Sequence, residues 1–290
     1  MELEEIHEKT IEAGKILKTV KEEVKPLVKP GVKLLEVAEF VENRIRELGG
    51  EPAFPCNISI NSDAAHFTPK KGDTREFNEG DIVKLDIGAH IEGIIADTAI
   101  TIDLGDNDDL VKASENALKR AIEEIHAGVD TAVIGRVIES EIREFGFRPV
   151  VNLTGHGLLP YIAHAPPSIL NYGTERGVKL EEGMVIAIEP FATDGAGKVG
   201  ERGETEIFSL KAIRPVRMKK AKALLKEIEK YKTLPFAKRW LENASDIVIG
   251  QLVRAGVLRG YPVLTEIAKG LVSQAEHTVI VEEDGARIVT

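Results

Sequence analysis

One cysteine, Cys56, serves a chain of 290 residues. A single thiol forms no internal disulfide and no cysteine-based zinc cluster, which fits a reducing cytoplasm. No apolar run approaches the ~18 residues that a membrane span needs, so none is expected. The acidic start, Met1-Glu2-Leu3-Glu4-Glu5, lacks the apolar stretch of a secretory signal. Positive charge is also in deficit. A net charge of −10 argues against nucleic acid or an anionic membrane as a partner of the whole chain. Glutamine occurs only as Gln251 and Gln274 while Glu and Lys abound, a bias shared with proteins from hot environments. What is present is apolar material: hydrophobic residues make up 43% and charged residues 30%, enough for a sizeable core and too much for a disordered chain. The length admits one large domain or two ordinary ones.

The chain repeats itself. Gly31-Val32 … Val41-Glu42 … Ile45-Arg46-Glu47-Leu48-Gly49 reappears as Gly128-Val129 … Ile138-Glu139 … Ile142-Arg143-Glu144-Phe145-Gly146, 97 positions later. Each copy has apolar residues at helical spacing and stops at Gly. An amphipathic helix is expected before each copy, over 6–24 and 110–126. Glu79-Gly80 leads through an apolar run to Asp86, as Glu182-Gly183 leads to Glu189. Such runs read as strands. Asp97-Thr98-Ala99-Ile100 then matches Glu276-His277-Thr278-Val279. Each half therefore carries two acids on strands. They lie 11 positions apart in the first half and 87 in the second, so about 76 residues are added there. We place this inserted helical subdomain at 200–264, leaving 1–199 with 265–290 as the main domain. Helices are expected over 219–232, 236–242 and 245–255. With the segment Val257–Val263 they resemble a winged-helix arrangement.

The four acids call for a cation. A hairpin turn centred between Ile91 and Glu92 sets Asp86 directly across from Asp97, with Cβ atoms roughly 4.5–5.5 Å apart. Among apolar neighbours, like charges so placed are unfavourable unless one is protonated or a cation intervenes. Bringing Glu189 and Glu276 to the same centre makes divalent metal the plausible answer. Imidazole is available nearby. His156 lies between Gly155 and Gly157, whose missing side chains permit close backbone approach. His66 lies in Ala64-Ala65-His66-Phe67-Thr68-Pro69, and His164 precedes Ala165-Pro166-Pro167. His7, His90, His126 and His277 have no such setting.

These residues, in this order and spacing, resemble the methionine aminopeptidases along essentially the whole chain. They are Asn61-Ser62-Asp63-Ala64-Ala65-His66, Asp86 with Asp97, Gly155-His156-Gly157, His164, Ile188-Glu189-Pro190 and Ala275-Glu276-His277-Thr278. The long insertion before Glu276 is similar to the type 2 subfamily, and the short N-terminus to its archaeal form. The resemblance implies an α+β pita-bread fold with pseudo-twofold halves. It implies two divalent ions, of Co, Mn or Fe, held by Asp86, Asp97, His156, Glu189 and Glu276, with Asp97 and Glu276 serving both. It implies that Glu189 shuttles a proton and that His66 and His164 contact substrate, with Phe54, Ala163 and Tyr261 walling a methionine pocket. Ala163 is smaller than the branched residue expected there, and Thr154 stands where relatives commonly carry Asn. The implied activity is removal of the initiator methionine from peptides and nascent chains in the cytoplasm, through metal-activated water.

Two alternatives are an Xaa-Pro aminopeptidase or prolidase, which share the metal set but usually carry an extra N-terminal domain, and a binding module that has lost the ligands. No ligand is missing here. Nine bases fall within 217–242: Arg217, Lys219, Lys220, Lys222, Lys226, Lys230, Lys232, Lys238 and Arg239. A solvated helix face accounts for them. Docking on ribosomal RNA is the sharper alternative, and the expectation is at most a weak ribosome association with no specific nucleic acid.

Overall fold

The structure, a computed structural model, describes residues 2–216 and 218–290, so Met1 and Arg217 of the basic stretch lie outside the described residues. The first half runs α1 (Leu3–Val24), α2 (Leu34–Glu47), β1 (Glu51–Pro52), β2 (Asn57–Ile60), β3 (Asp63–Ala65), β4 (Ile82–Ile91) and β5 (Ile94–Asp103). The second runs α3 (Asp108–Glu123), α4 (Thr131–Glu144), β6 (Arg148–Pro149), β7 (Thr154–Leu159), β8 (Ile162–Leu170), β9 (Val185–Ile188) and β10 (Phe191–Thr193). Then come β11 (Val199–Leu210), α5 (Lys219–Ile228), β12 (Phe236–Ala237), α6 (Asp246–Arg254) and β13 (Leu258–Glu266). The chain closes with β14 (Val272–Gln274), β15 (Glu276–Glu282) and β16 (Gly285–Ile288).

The repeat is a repeat in space. α4 starts and ends 97 positions after α2, Leu34 to Thr131 and Glu47 to Glu144. Gly49 and Gly146, which end the two copies, both have positive φ, 93° and 82°, a backbone that favours glycine. The strands after them, Glu51–Pro52 and Arg148–Pro149, keep the same offset. Each helix pair buries one face on the sheet. Leu17, Val20, Leu34, Val41 and Ile45 pack on Val83, Leu85 and Ile87 in the first half. Leu110, Leu118, Ile134, Ile138 and Ile142 pack on Ile186, Ile188 and Val279 in the second. The central sheet is ordered β1-β4-β5-β15-β9-β7-β8, with antiparallel pairing throughout. β15 thus sits between the two halves, paired to β5 on one side and β9 on the other.

The insertion has its own core of Phe208, Leu224, Ile228, Phe236, Val248, Leu252 and Val257. Its stem strands, β11 and β13, pair along their length, and β13 pairs onward to β3. Helices form over 219–228 and 246–254, but the expected helix over 236–242 is absent. Phe236 and Ala237 instead pair with Phe208 and Ile207, and one 3-10 turn follows over Lys238–Trp240. A fully buried Phe236 with a strand partner outweighs a short local helical pattern.

One buried ion pair ties the insertion to the main body. Arg239 pairs with Glu42 of α2, and Trp240 Nε1 donates to the second Glu42 oxygen at 2.7 Å. Arg239 also donates to Thr68 Oγ1 and Pro69 O, in the segment that follows His66.

Candidate metal centre

The five expected ligands come from five neighbouring strands, β4, β5, β15, β7 and, just past its end, β9, and sheet register decides how they meet. The β4–β5 turn is the pair Glu92-Gly93, with Ile91 opposite Ile94. Both turn residues have positive φ, 50° and 91°, the geometry of a type I′ hairpin. This corrects the expected register. Asp97 faces Gly88, and Asp86 faces Ala99, so the two acids are diagonal rather than opposite. The slip is of two positions in pairing, which keeps both side chains on one face. Glycine at 88 has a use: a Cβ there would lie 2.3 Å from the Phe54 ring, so Phe54 packs directly against the strand beside Asp97.

Ala99 is the pivot. It pairs with Asp86 on one side and Glu276 on the other. His277 pairs with Ile188, and the same register continued by one position sets Glu276 against Glu189. His156 pairs with Ala187, two residues before Glu189 and therefore on its face. Close packing of β7 requires its glycines. A Cβ at Gly155 would fall 2.5 Å from Ala187 O, and one at Gly157 would fall 2.2 Å from Pro166 O. Thr278 fastens the seam: its hydroxyl accepts from Asp97 N and donates to Asp97 O, both at 2.8 Å.

The result is a buried acidic cluster with imidazole. Ligand atoms of Asp97, His156 and Glu276 all lie within 4.8 Å of one another. His156 Nε2 is 3.4 Å from Glu189 Oε1 and 3.9 Å from Asp97 Oδ2. Asp86 Oδ1, Asp97 Oδ1 and both Glu276 oxygens are buried without a hydrogen-bond partner. Burial pushes the Asp86 carboxyl up to about 7. Burial, then neighbouring carboxylates, holds Asp97, Glu189 and Glu276 well above the usual range. Orphaned carboxylate oxygens of this kind are costly unless a cation completes them. His156 is suited to join them. Burial lowers it to about 3, so it is neutral, and its Nδ1 lies 3.3 Å from Gly157 O. A carbonyl only accepts, so Nδ1 carries the proton and Nε2 is left free as a ligand. Four carboxylates and one imidazole make a donor set that fits hard divalent ions.

The centre floors a cavity of about 340 Å³. Phe54, His66, His164 and Tyr261 line it. Ala163 is buried beside Phe54, one of these lining residues, and Leu158. His164 reaches into the cavity with its ring 4.5 Å from that of His156. Confinement, then the charge of Arg259, lowers it to about 4. His66 is held with φ at 65°, its Nδ1 3.3 Å from Pro262 O and its ring edge-on to Tyr261. A non-glycine residue in this region is a mark of functional sites. His277 turns away to Thr290, as strand alternation predicts.

Three further residues contribute that spacing alone does not single out. Gln274, two residues before Glu276, donates to Glu189 Oε2 at 3.4 Å. Its position at the end of β14, two before the ligand that opens β15, is the available signal. Asn57 pairs with Asp86 and lines the cavity. Arg259 stands at the cavity rim.

The model of metallopeptidase family M24 matches residues 8–283. The chain belongs to metallopeptidase family M24. Within it, a methionine aminopeptidase from Archaeoglobus fulgidus is 68% identical over 288 residues, covering 99% of both chains. One from Methanocaldococcus jannaschii is 51% identical, with 98% of each covered. Among solved structures, a methionine aminopeptidase from Thermotoga maritima is 25% identical, superposes with a TM-score of 0.74, and is covered over 98% of this chain and 95% of that one. The family fold is the pita-bread fold, and the two helix-backed halves described above are its halves. The activity is that of an archaeal methionine aminopeptidase, a metal-dependent hydrolase that removes N-terminal methionine. No helix among the described residues is long and apolar enough to cross a membrane.

Proposed function

We propose that two divalent ions of Mn, Fe or Co are held by Asp86, Asp97, His156, Glu189 and Glu276, and that the site trims initiator methionine from nascent chains in the cytoplasm. The observation that carries this is the convergence of four carboxylates, three of which, Asp86, Asp97 and Glu276, keep buried oxygens that no protein donor reaches. Charge counting favours two ions. Four carboxylates balance two divalent cations, whereas one ion leaves a buried excess of negative charge. When bound, the metal supplies Lewis acidity toward the scissile carbonyl and lowers the pKa of water.

The chain does the rest. Glu189 takes a proton from the attacking water and returns it to the leaving amine. His164 hydrogen-bonds the scissile amide and steadies the oxygen that gains charge. His66, with Nε2 free, holds the substrate on the leaving side. Phe54 and Tyr261 give the methionine thioether two aromatic surfaces. Residues 200–264 are a subdomain that shapes the outer cavity. Its bases are a solvated face: Lys219, Lys220, Lys222, Lys226 and Lys230 are exposed, while Lys238 pairs with Asp246 and Arg239 with Glu42. Ribosome association is weak at most on this reading. The test is hydrolysis of Met-Ala-Ser and Ala-Pro-Ala after chelation and add-back of each ion, with bound metal counted. Cleavage of Met-Ala-Ser alone, with about two ions per chain, is expected; preference for Ala-Pro-Ala overturns the substrate assignment.

A further inference from the structure

The floor of the cavity is acidic, but its rim carries one fixed positive charge. Among the residues lining the cavity, Arg259 is the only lysine or arginine. It precedes Tyr261 by two positions on β13, so the two share a face. Its guanidinium lies 4.9 Å from the centre of the Tyr261 ring. That ring is itself braced, with its hydroxyl 3.1 Å from Ser209 Oγ on β11, the residue that pairs with Arg259. Other arginines of this region are committed: Arg239 to Glu42, and Arg75 to Asp73. Arg259 is exposed and enters no ion pair among the described residues. Its charge is nevertheless felt by both cavity imidazoles, His66 and His164.

An exposed, stacked guanidinium without a carboxylate partner at the mouth of a peptide site is placed to receive one. The spacing says which. Two residues along a strand cover about 6.6 Å, and an extended peptide advances about 3.3 Å per residue. With the methionine against Tyr261, the third residue of the peptide comes level with Arg259. We propose that Arg259 is a specificity-determining residue that binds an acidic side chain at the third position of the substrate. This rests on the aminopeptidase reading and deepens it. A contact made far from the reacting atoms, alike in ground and transition state, acts on KM rather than kcat.

The experiment uses pentapeptides Met-Ala-Xaa-Ser-Ala with amidated C-termini, Xaa being Glu, Gln or Lys, so that no terminal carboxylate competes. For the metal-loaded wild-type protein, kcat/KM should fall in the order Glu, Gln, Lys. The Glu-to-Lys ratio should be about 5–10-fold, carried by KM and shrinking as salt rises, on the scale of exposed ion pairs acting with opposite sign on the two peptides. Arg259→Gln should flatten the ratio and Arg259→Glu should invert it. The same peptides with a free C-terminus and Gln at Xaa report whether a terminal carboxylate is taken instead; a gain there without a Glu preference overturns the proposal. So does a ratio near one in the wild type, or a ratio that neither substitution moves. Failure to release methionine from any of the peptides overturns the aminopeptidase reading, and this proposal with it.

Discussion

Two groups of buried carboxylates in this chain, one on α2 and one between the halves, are finished differently. On α2, Glu42 has both oxygens engaged by protein donors: Arg239 and the Cys56 amide on one, Trp240 on the other. At the centre between the halves, Asp86, Asp97 and Glu276 keep oxygens that no protein donor reaches. Both arrangements take negative charge out of water. In the first the fold supplies its own counter-charge, and the pair joins the insertion to the main body. In the second the fold gathers like charges and leaves them for a ligand to neutralise. A satisfied buried charge is a fastening, and an unsatisfied group of them is a receptor.

That contrast is open to attack by experiment. Chelation should have the largest effect, lowering Met-Ala-Ser hydrolysis to background and the melting temperature with it, while Mn, Fe or Co restores both. Retained activity in metal-free protein would break the comparison. Next, Glu189→Gln should lower turnover by about 10²–10⁴-fold, the range for a lost acid–base group. In the metal-free protein the same change should raise the melting temperature, because it removes one of four mutually repelling acids; a fall would mean that Glu189 is structurally satisfied. His164→Ala should lower kcat by about 10²–10³-fold, as loss of an oxyanion donor does. Bound metal should stay near two per chain, and loss of metal with little kinetic change would make His164 a ligand. Glu42→Ala should leave metal content alone and destabilise by about 3–5 kcal/mol, because Arg239 is left buried and unpaired. Denaturant unfolding measures this, and an unchanged midpoint would show that the pair fastens nothing.

Much of this was legible in the sequence where the signal was periodic. The offset of 97 located both helix pairs to within a few residues, because apolar spacing and terminal glycines are local signals. The acids were found for the same reason, since a strand keeps alternate residues on one face. Their register was misplaced by the turn. Gly93 was the signal, since a Glu-Gly pair with both residues at positive φ centres the hairpin between Glu92 and Gly93. The strand at 236–237 looks helical in the sequence because its partner, Phe208, lies 28 positions earlier and leaves no local trace. Glu42 and Arg239 are 197 positions apart, and no pattern short of the fold joins them.

The insertion leaves the main body on β11 and returns on β13, and these two strands or the loops between them carry Ile207, Pro235, Arg259 and Tyr261 to the cavity. None of the five acid and imidazole donors comes from it. The metal donors and the outer wall of the cavity are therefore written in separate stretches of the gene. A chimera that exchanged only 200–264 with a relative's should hydrolyse at its own pace yet choose its peptides by the donor's taste.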